Sequence, residues 1–171
     1  LVMDHAPTFA DTVANNIGVG SPENSLPQII EAAKLAHAHQ FIEKLPFGYE
    51  TLVGPTGFSL TPGQRYRIAL ARALLRDPSL LVIEEPVGPM DEDTLALLDD
   101  TLARIAGTRT IIFLAQRFST LRRVNRVFVL RNGRLDASGP HDELWAESAS
   151  YRGLQLTADA DAAEPAAEGA E

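Results

Sequence analysis

Two short apolar runs separated by an amphipathic stretch constrain this chain more than any other feature. "SLLVIEE" (79–85) is apolar without alternation until it ends in two acids. A run of that kind reads as a strand buried on both faces. Residues 91–105 carry apolar side chains at helical spacing, and "TIIFLA" (110–115) reads as a second buried strand. Strand, helix and strand in that order predict an α/β fold with parallel strands.

The flanking segments add helices and a hairpin. Apolar Ile29, Ala33, Ala36 and Phe41 predict one helix over 26–45, ended by Pro46 and Gly48. A second helix is predicted over 62–76. Its start is a Thr-x-x-Gln capping box, with Thr61 at N-cap, Pro62 at the first helical position and Gln64 at the third. Residues 1–3 read as a strand end, and 126–138 as a hairpin turning at Asn132-Gly133. A short helix follows in "GPHDELWAE". His141 at its start is expected to be a capping or surface residue, and Trp145 a packing residue. His37 and His39 do not share a helix face, so they are not expected to form a metal pair.

Composition narrows the function classes. The formal charge is −8, whereas a nucleic-acid footprint needs a basic surface. No nucleic-acid partner is expected. From Leu154 onward there are five acids and no Lys or Arg, in an Ala-rich stretch expected to be disordered. Cysteine is absent, which excludes disulfides and thiolate metal sites. No run is long enough to span a bilayer. A first residue other than Met suggests a piece of a longer protein.

The stretch "SLTPGQRYRIALARALLRDPSLLVIEEPVGPMD" (59–91) resembles the ATP-binding domain of ABC transporters. The likeness runs from the N-terminus to about Gly153. "TVANNIGVG" is similar to the phrase after the family's glutamine loop. "AAKLAHAHQFIEKLPFGYETLVGPTG" is similar to the helical subdomain of exporter-type members. "LTPGQ" lies over the LSGGQ signature, "LLVIEE" over the Walker B strand, "GPMD" over the D-loop and "LAQRFSTL" over the switch region.

The resemblance implies a partial P-loop NTPase core with a helical subdomain, parallel strands and a C-terminal hairpin. It implies three regions: 1–78 with the glutamine loop, helical subdomain and signature; 79–153 with Walker B, D-loop and switch; and the acidic tail, 154–171. It implies ATP and Mg²⁺ as cofactors. Glu85 and Gln116 would be the catalytic positions. Thr61, Gly63, Gln64, Asp91 and Asp4 would contact nucleotide, and Glu84 and Asp4 would serve the metal. The partners implied are a second nucleotide-binding domain, arranged head to tail, and a transmembrane domain. The implied location is the cytoplasmic face of a membrane.

Several positions depart from the family pattern. Asp4 stands for the glutamine, and Pro62 for a signature glycine, which removes an N–H. Glu84 stands for the Walker B aspartate. Gln116 stands for the switch histidine and cannot carry a proton. "VGPTG" replaces "VGERG" at Pro55 and Thr56. GxxxxGK[ST] does not occur, since Lys34 and Lys44 are the only lysines and neither follows a glycine. In the family that loop lies upstream of the glutamine loop, so it is expected before Leu1. Two functions remain open: a slow motor ATPase half that powers transport, or a pseudo-ATPase that regulates a partner domain by dimerising around ATP.

Overall fold

The computed structural model describes residues 1–21, 23–87, 90 and 94–154. The chain divides into two compact units, Leu1–Leu114 and the part from Ala115 onward.

The first unit is built on parallel strands. β1 (Asp11–Thr12) pairs antiparallel with β2 (Leu52–Val53) beside a short helix, α1 (Val13–Gly18). α2 (Leu26–Leu35) and α3 (His39–Ile42) follow. α4 (Pro62–Leu75) leads to β3 (Leu80–Glu84), α5 (Thr94–Ile105) and β4 (Thr110–Leu114). β3 and β4 are parallel, in register from Leu80 opposite Thr110 to Glu84 opposite Leu114. On the other side of β3, the Val2 amide donates to Val82 O at 2.8 Å, and the Glu84 amide donates to Val2 O at 2.9 Å. The expected α/β class and the strand end near Val2 are therefore present.

Burial on these strands is one-sided, which corrects the expectation of strands buried on both faces. Leu81 and Ile83 are fully buried, with Ile111 and Phe113 packed on the same core. Strand alternation sends Leu80, Ile112 and Leu114 the other way, and each is about half exposed. An apolar run cannot say which of its two faces is covered.

The helix expected over 26–45 is two helices. Its N-terminus carries a cap the sequence reading passed over: Gln28 Oε1 accepts the Ser25 amide at 2.8 Å. The break comes at His37, whose φ of 53° is left-handed. The His37 amide donates to Lys34 O and the Ala38 amide to Ala33 O. This is a Schellman ending with histidine where glycine is usual. Two tertiary bonds hold it: His37 Nε2 lies 2.6 Å from Asp100 Oδ2, and Arg67 Nη1 donates to His37 O at 3.2 Å. His39 turns elsewhere, its Nδ1 2.9 Å from the Tyr49 hydroxyl. Burial pushes that phenol up to about 12, with the Glu43 and Glu31 carboxylates adding to it.

α4 begins as its sequence predicts. Thr61 Oγ1 accepts the Gln64 amide at 3.1 Å, and Gln64 Oε1 accepts the Thr61 amide at 3.0 Å. Tyr66, Ile68, Ala69, Leu70, Ala71 and Leu74 are buried around most of its circumference, and α4 packs against α1 and α2. The expected helix over 91–105 is described from Thr94.

The second unit starts with α6 (Phe118–Arg123) and the hairpin β5 (Val127–Arg131) and β6 (Arg134–Gly139). Asn132 and Gly133 both have positive φ, as a two-residue hairpin turn of this kind requires. α7 (His141–Glu147) and α8 (Ala149–Arg152) close it. His141 is not a surface residue. Its ring stacks on Trp145, and its Nδ1 lies 2.6 Å from the Tyr151 hydroxyl. Phe118 packs edge-on against both Trp145 and Tyr151.

Two expectations follow. Thr61→Ala removes the N-cap acceptor and should destabilise the first unit by about 1 kcal/mol in chemical denaturation, with an unchanged value counting against the cap. Burial, with Arg122 adding to it and Asp142 opposing, holds His141 below its ordinary 6.5. Below that value the unfolded chain takes up a proton that the folded unit resists, so stability should fall as pH drops from about 6.5. Thermal unfolding followed by Trp145, the only tryptophan, should show this fall between pH 7.5 and 5.5. His141→Gln should flatten it, and a wild-type profile without the fall would refute the assignment.

Candidate functional site

Strand pairing carries β3 rigidly to its last residue. Beyond the Val2 bonds, the Glu85 amide donates to Leu114 O at 3.1 Å. Two acids therefore sit at the carboxyl edge of parallel strands, where open α/β sheets place their ligands. Alternation sends the side chains of Glu84 and Glu85 in opposite directions. Glu84 is partly exposed, while Glu85 is 1% exposed and engaged in the surrounding structure.

Asp4 joins this edge. Its amide donates to Glu84 Oε2 at 3.1 Å. Its own side chain is only 8% exposed, with Oδ2 3.6 Å from His5 Nε2. The pairing of residue 2 with β3 is what brings residue 4 beside residue 84. The Asp4 main chain and the Glu84 carboxylate, distant in sequence, thus meet at this edge. Mg²⁺ is commonly held by one or two carboxylates, with water and phosphate oxygens completing the shell, so a carboxylate at this edge fits it. Among the described residues no group of three or more His, Cys, Asp or Glu is arranged for a metal.

The capped start of α4 is the second component. Thr61 and Pro62 are exposed and Gly63 is buried. Pro62 offers no N–H, and the Gln64 amide is taken by Thr61. A helix N-terminus attracts anions through such amides, so this one is a weaker phosphate site than an uninterrupted glycine pair would be. The Gln64 carbonyl is likewise committed, to the Thr61 amide.

Tyr66 connects the two components. It is buried at 1% exposure, and its hydroxyl donates to Glu84 O at 3.0 Å. α4 and the end of β3 are thereby fixed to one another. Sequence reasoning missed this residue, because a tyrosine in an amphipathic helix reads as ordinary core. It also missed Arg72 and Asn16, whose bonds tie α4 to the segment that follows Asp4. A basic residue within "IALARALL" was the available signal.

The loop over 54–57 is shaped by its glycines. A Cβ on Gly54 would lie 2.7 Å from Phe9 O, and one on Gly57 would lie 2.5 Å from Leu52 O. Pro55 and Thr56 between them are exposed. Gln116 belongs to the second unit, two residues past β4 in sequence, and it too is engaged by its neighbours. Asp91 lies outside the described residues, as does the tail from 155.

No family model matches the chain. Individual proteins do. The ATP-dependent lipid A-core flippase of Pseudoalteromonas atlantica is 41% identical over 155 residues, covering 90% of this chain and 26% of the flippase. ABC transporter B family member 14 of Arabidopsis thaliana is 41% identical over 154 residues, covering 90% of this chain and 12% of that protein. A putative multidrug export ATP-binding/permease protein of Bacillus subtilis, YgaD, is 37% identical over 154 residues, 90% of this chain and 27% of its own. The chain spans about a quarter or less of the length of these curated relatives. Over nine-tenths of its own length, this chain is a homologue of exporter-type ABC transporters and matches their nucleotide-binding domain.

Proposed function

We propose that the chain forms part of the ATP-binding domain of an exporter-type ABC transporter, with a P-loop NTPase fold, and that it helps power movement of a substrate across a membrane. The homology over nine-tenths of the chain carries this reading. The carboxylates at the end of β3 and the capped helix start supply chemistry that suits it.

In this reading Glu84 and Asp4 would hold Mg²⁺, which when bound neutralises charge on the phosphates. Glu85 accepts the proton of the attacking water and orients it. Its burial shelters it from bulk water, where a carboxylate would be a weaker director of one molecule. The α4 start, with Thr61, Gly63 and Gln64, would contact nucleotide shared with a second nucleotide-binding domain. Asp91 would line the same interface. By the family resemblance, Gln116 would hydrogen-bond near the terminal phosphate but move no proton. With a longer Glu84 arm and one amide lost at Pro62, turnover is slow.

Exposed apolar side chains support a membrane-embedded partner. Phe9, Phe47, Leu52 and Phe58 are 44–75% exposed. Three of them are joined by local structure: Leu52 lies in β2, the Phe58 amide donates to Leu52 O, and Phe9 O closely approaches Gly54. Large apolar side chains exposed on neighbouring backbone are what an interaction site would present. Among the described residues no helix is long and apolar enough to cross a membrane. The crossing would be made by other segments of the parent protein or by another chain, with this domain at the cytoplasmic face.

Steady-state phosphate release tests the reading, in the full-length parent with the second domain's own catalytic glutamate neutralised. Glu85→Gln keeps the shape but removes the base, and should abolish the residual rate while ATP binding persists. Gln116→His should raise it modestly, because an imidazole holds and relays a proton that an amide does not. A residual rate indifferent to both substitutions would show that this site does not hydrolyse ATP.

A further inference from the structure

α4 has a second, half-buried attachment, remote from its capped start. Arg72 donates through Nε to Asn16 O at 2.7 Å, and through both terminal nitrogens to Pro7 O at 3.2 Å. Its Nη2 also lies 3.5 Å from Asn16 Oδ1. The guanidinium carbon sits 5.3 Å from the centre of the Phe9 ring. Burial lowers the affinity of this guanidinium for its proton, yet no carboxylate is bonded to it among the described residues. The charge is spent on main-chain carbonyls and one aromatic face.

Asn16 completes the lock. It is fully buried. Its Oδ1 accepts the Phe9 amide at 2.8 Å, and its Nδ2 donates to Phe9 O and Thr12 O, each at 3.0 Å. Both edges of one amide group are thus used to fold residues 9–12 around it. A buried and fully satisfied polar group fixes one backbone arrangement, because any other leaves it unpaired. Thr8 also lines a shallow groove with Phe58, Leu60 and Arg65, next to the start of α4.

We propose that Arg72 and Asn16 are positioning residues that make residues 7–12 and α4 move as one body. A push on exposed Phe9 reaches Thr61 through the guanidinium it stacks on, and nucleotide at the α4 start reaches Phe9 by the same route. The inference rests on the proposed ATP-binding function and adds to it the carrier of the signal between the nucleotide and the apolar surface.

Arg72→Lys keeps the positive charge but loses the fork that spans Asn16 O and Pro7 O. Asn16→Asp keeps the shape but removes the Nδ2 donors. The measurement is hydrogen exchange of the full-length parent in nanodiscs, with and without Mg-ATP, read in peptides covering residues 7–16 and 58–66. In wild type, Mg-ATP should slow exchange in both peptides. In each variant the 58–66 response should persist and the 7–16 response should be lost. Thermal unfolding identifies folded variants, and a response is compared only between folded proteins. Should Arg72→Lys fail to fold, Asn16→Asp decides alone, and the reverse; should both fail, Arg72→Gln, which keeps a shorter donor, is read in the same way. Retention of the 7–16 response in a folded variant overturns the lock. Absence of any 58–66 response in wild type overturns the ATP-binding reading itself, a separate outcome.

Discussion

The first unit depends on one helix being bonded to main-chain carbonyls at separate places. Tyr66 donates to Glu84 O, Arg67 to His37 O, and Arg72 to Asn16 O and Pro7 O. The acceptors are carbonyls at the end of β3, in α1 and in connecting segments, all of them except exposed Pro7 O in part-buried bonds. Leaving such a group unpaired in the interior costs about 1–3 kcal/mol. α4 therefore does more than fill space. It sets where β3 ends, where α2 stops and where the segment after Asp4 runs. The cap at Thr61 fixes the same helix at its exposed end, so the register of all these bonds begins at one threonine.

That arrangement accounts for how chemistry-bearing groups from remote parts of the sequence meet. Asp4 reaches Glu84 because Val2 adds a strand position to β3. Glu85 is held at the same edge by the hydrogen bond its amide donates to Leu114 O. The residue types that depart from the family pattern fall within this frame without breaking it. Pro62 suits the first turn of a helix, since the N–H it lacks is one a helix start does not use internally. The substitution therefore leaves the start of the helix intact, and in the proposed function its cost would fall on phosphate binding. Glu84 keeps the oxygen donor but extends it by one methylene, and the Asp4 amide receives that longer arm.

Much of this was legible in the sequence where the signal was local. The Thr-x-x-Gln box predicted the start of α4, because both partners of the cap lie within one turn. Asn132-Gly133 predicted the hairpin, because two consecutive positive φ angles select those residues. What was not legible depended on distance. His37 sits among helix formers, and only its bonds to Asp100 and Arg67 make a left-handed stop there acceptable. Arg72 and Asn16 are 56 residues apart. His141 looked like a surface cap because Tyr151, whose ring and hydroxyl meet it, lies on another helix, α8. In the site, residue types pointed to Glu84 and Glu85, but nothing short of the fold could show Tyr66 holding the end of their strand.

The central claim is that α4 positions the end of β3 for chemistry, and Tyr66→Phe tests it most directly. The substitution removes one hydroxyl and preserves the buried ring. Steady-state ATP hydrolysis by the full-length parent, with the second domain's site silenced, should show kcat reduced about tenfold or more, as small displacements of reacting groups do. KM for ATP should stay nearly constant, because the nucleotide contacts proposed for Thr61 and Gly63 are untouched. An unchanged kcat in a folded Tyr66→Phe protein would contradict the account.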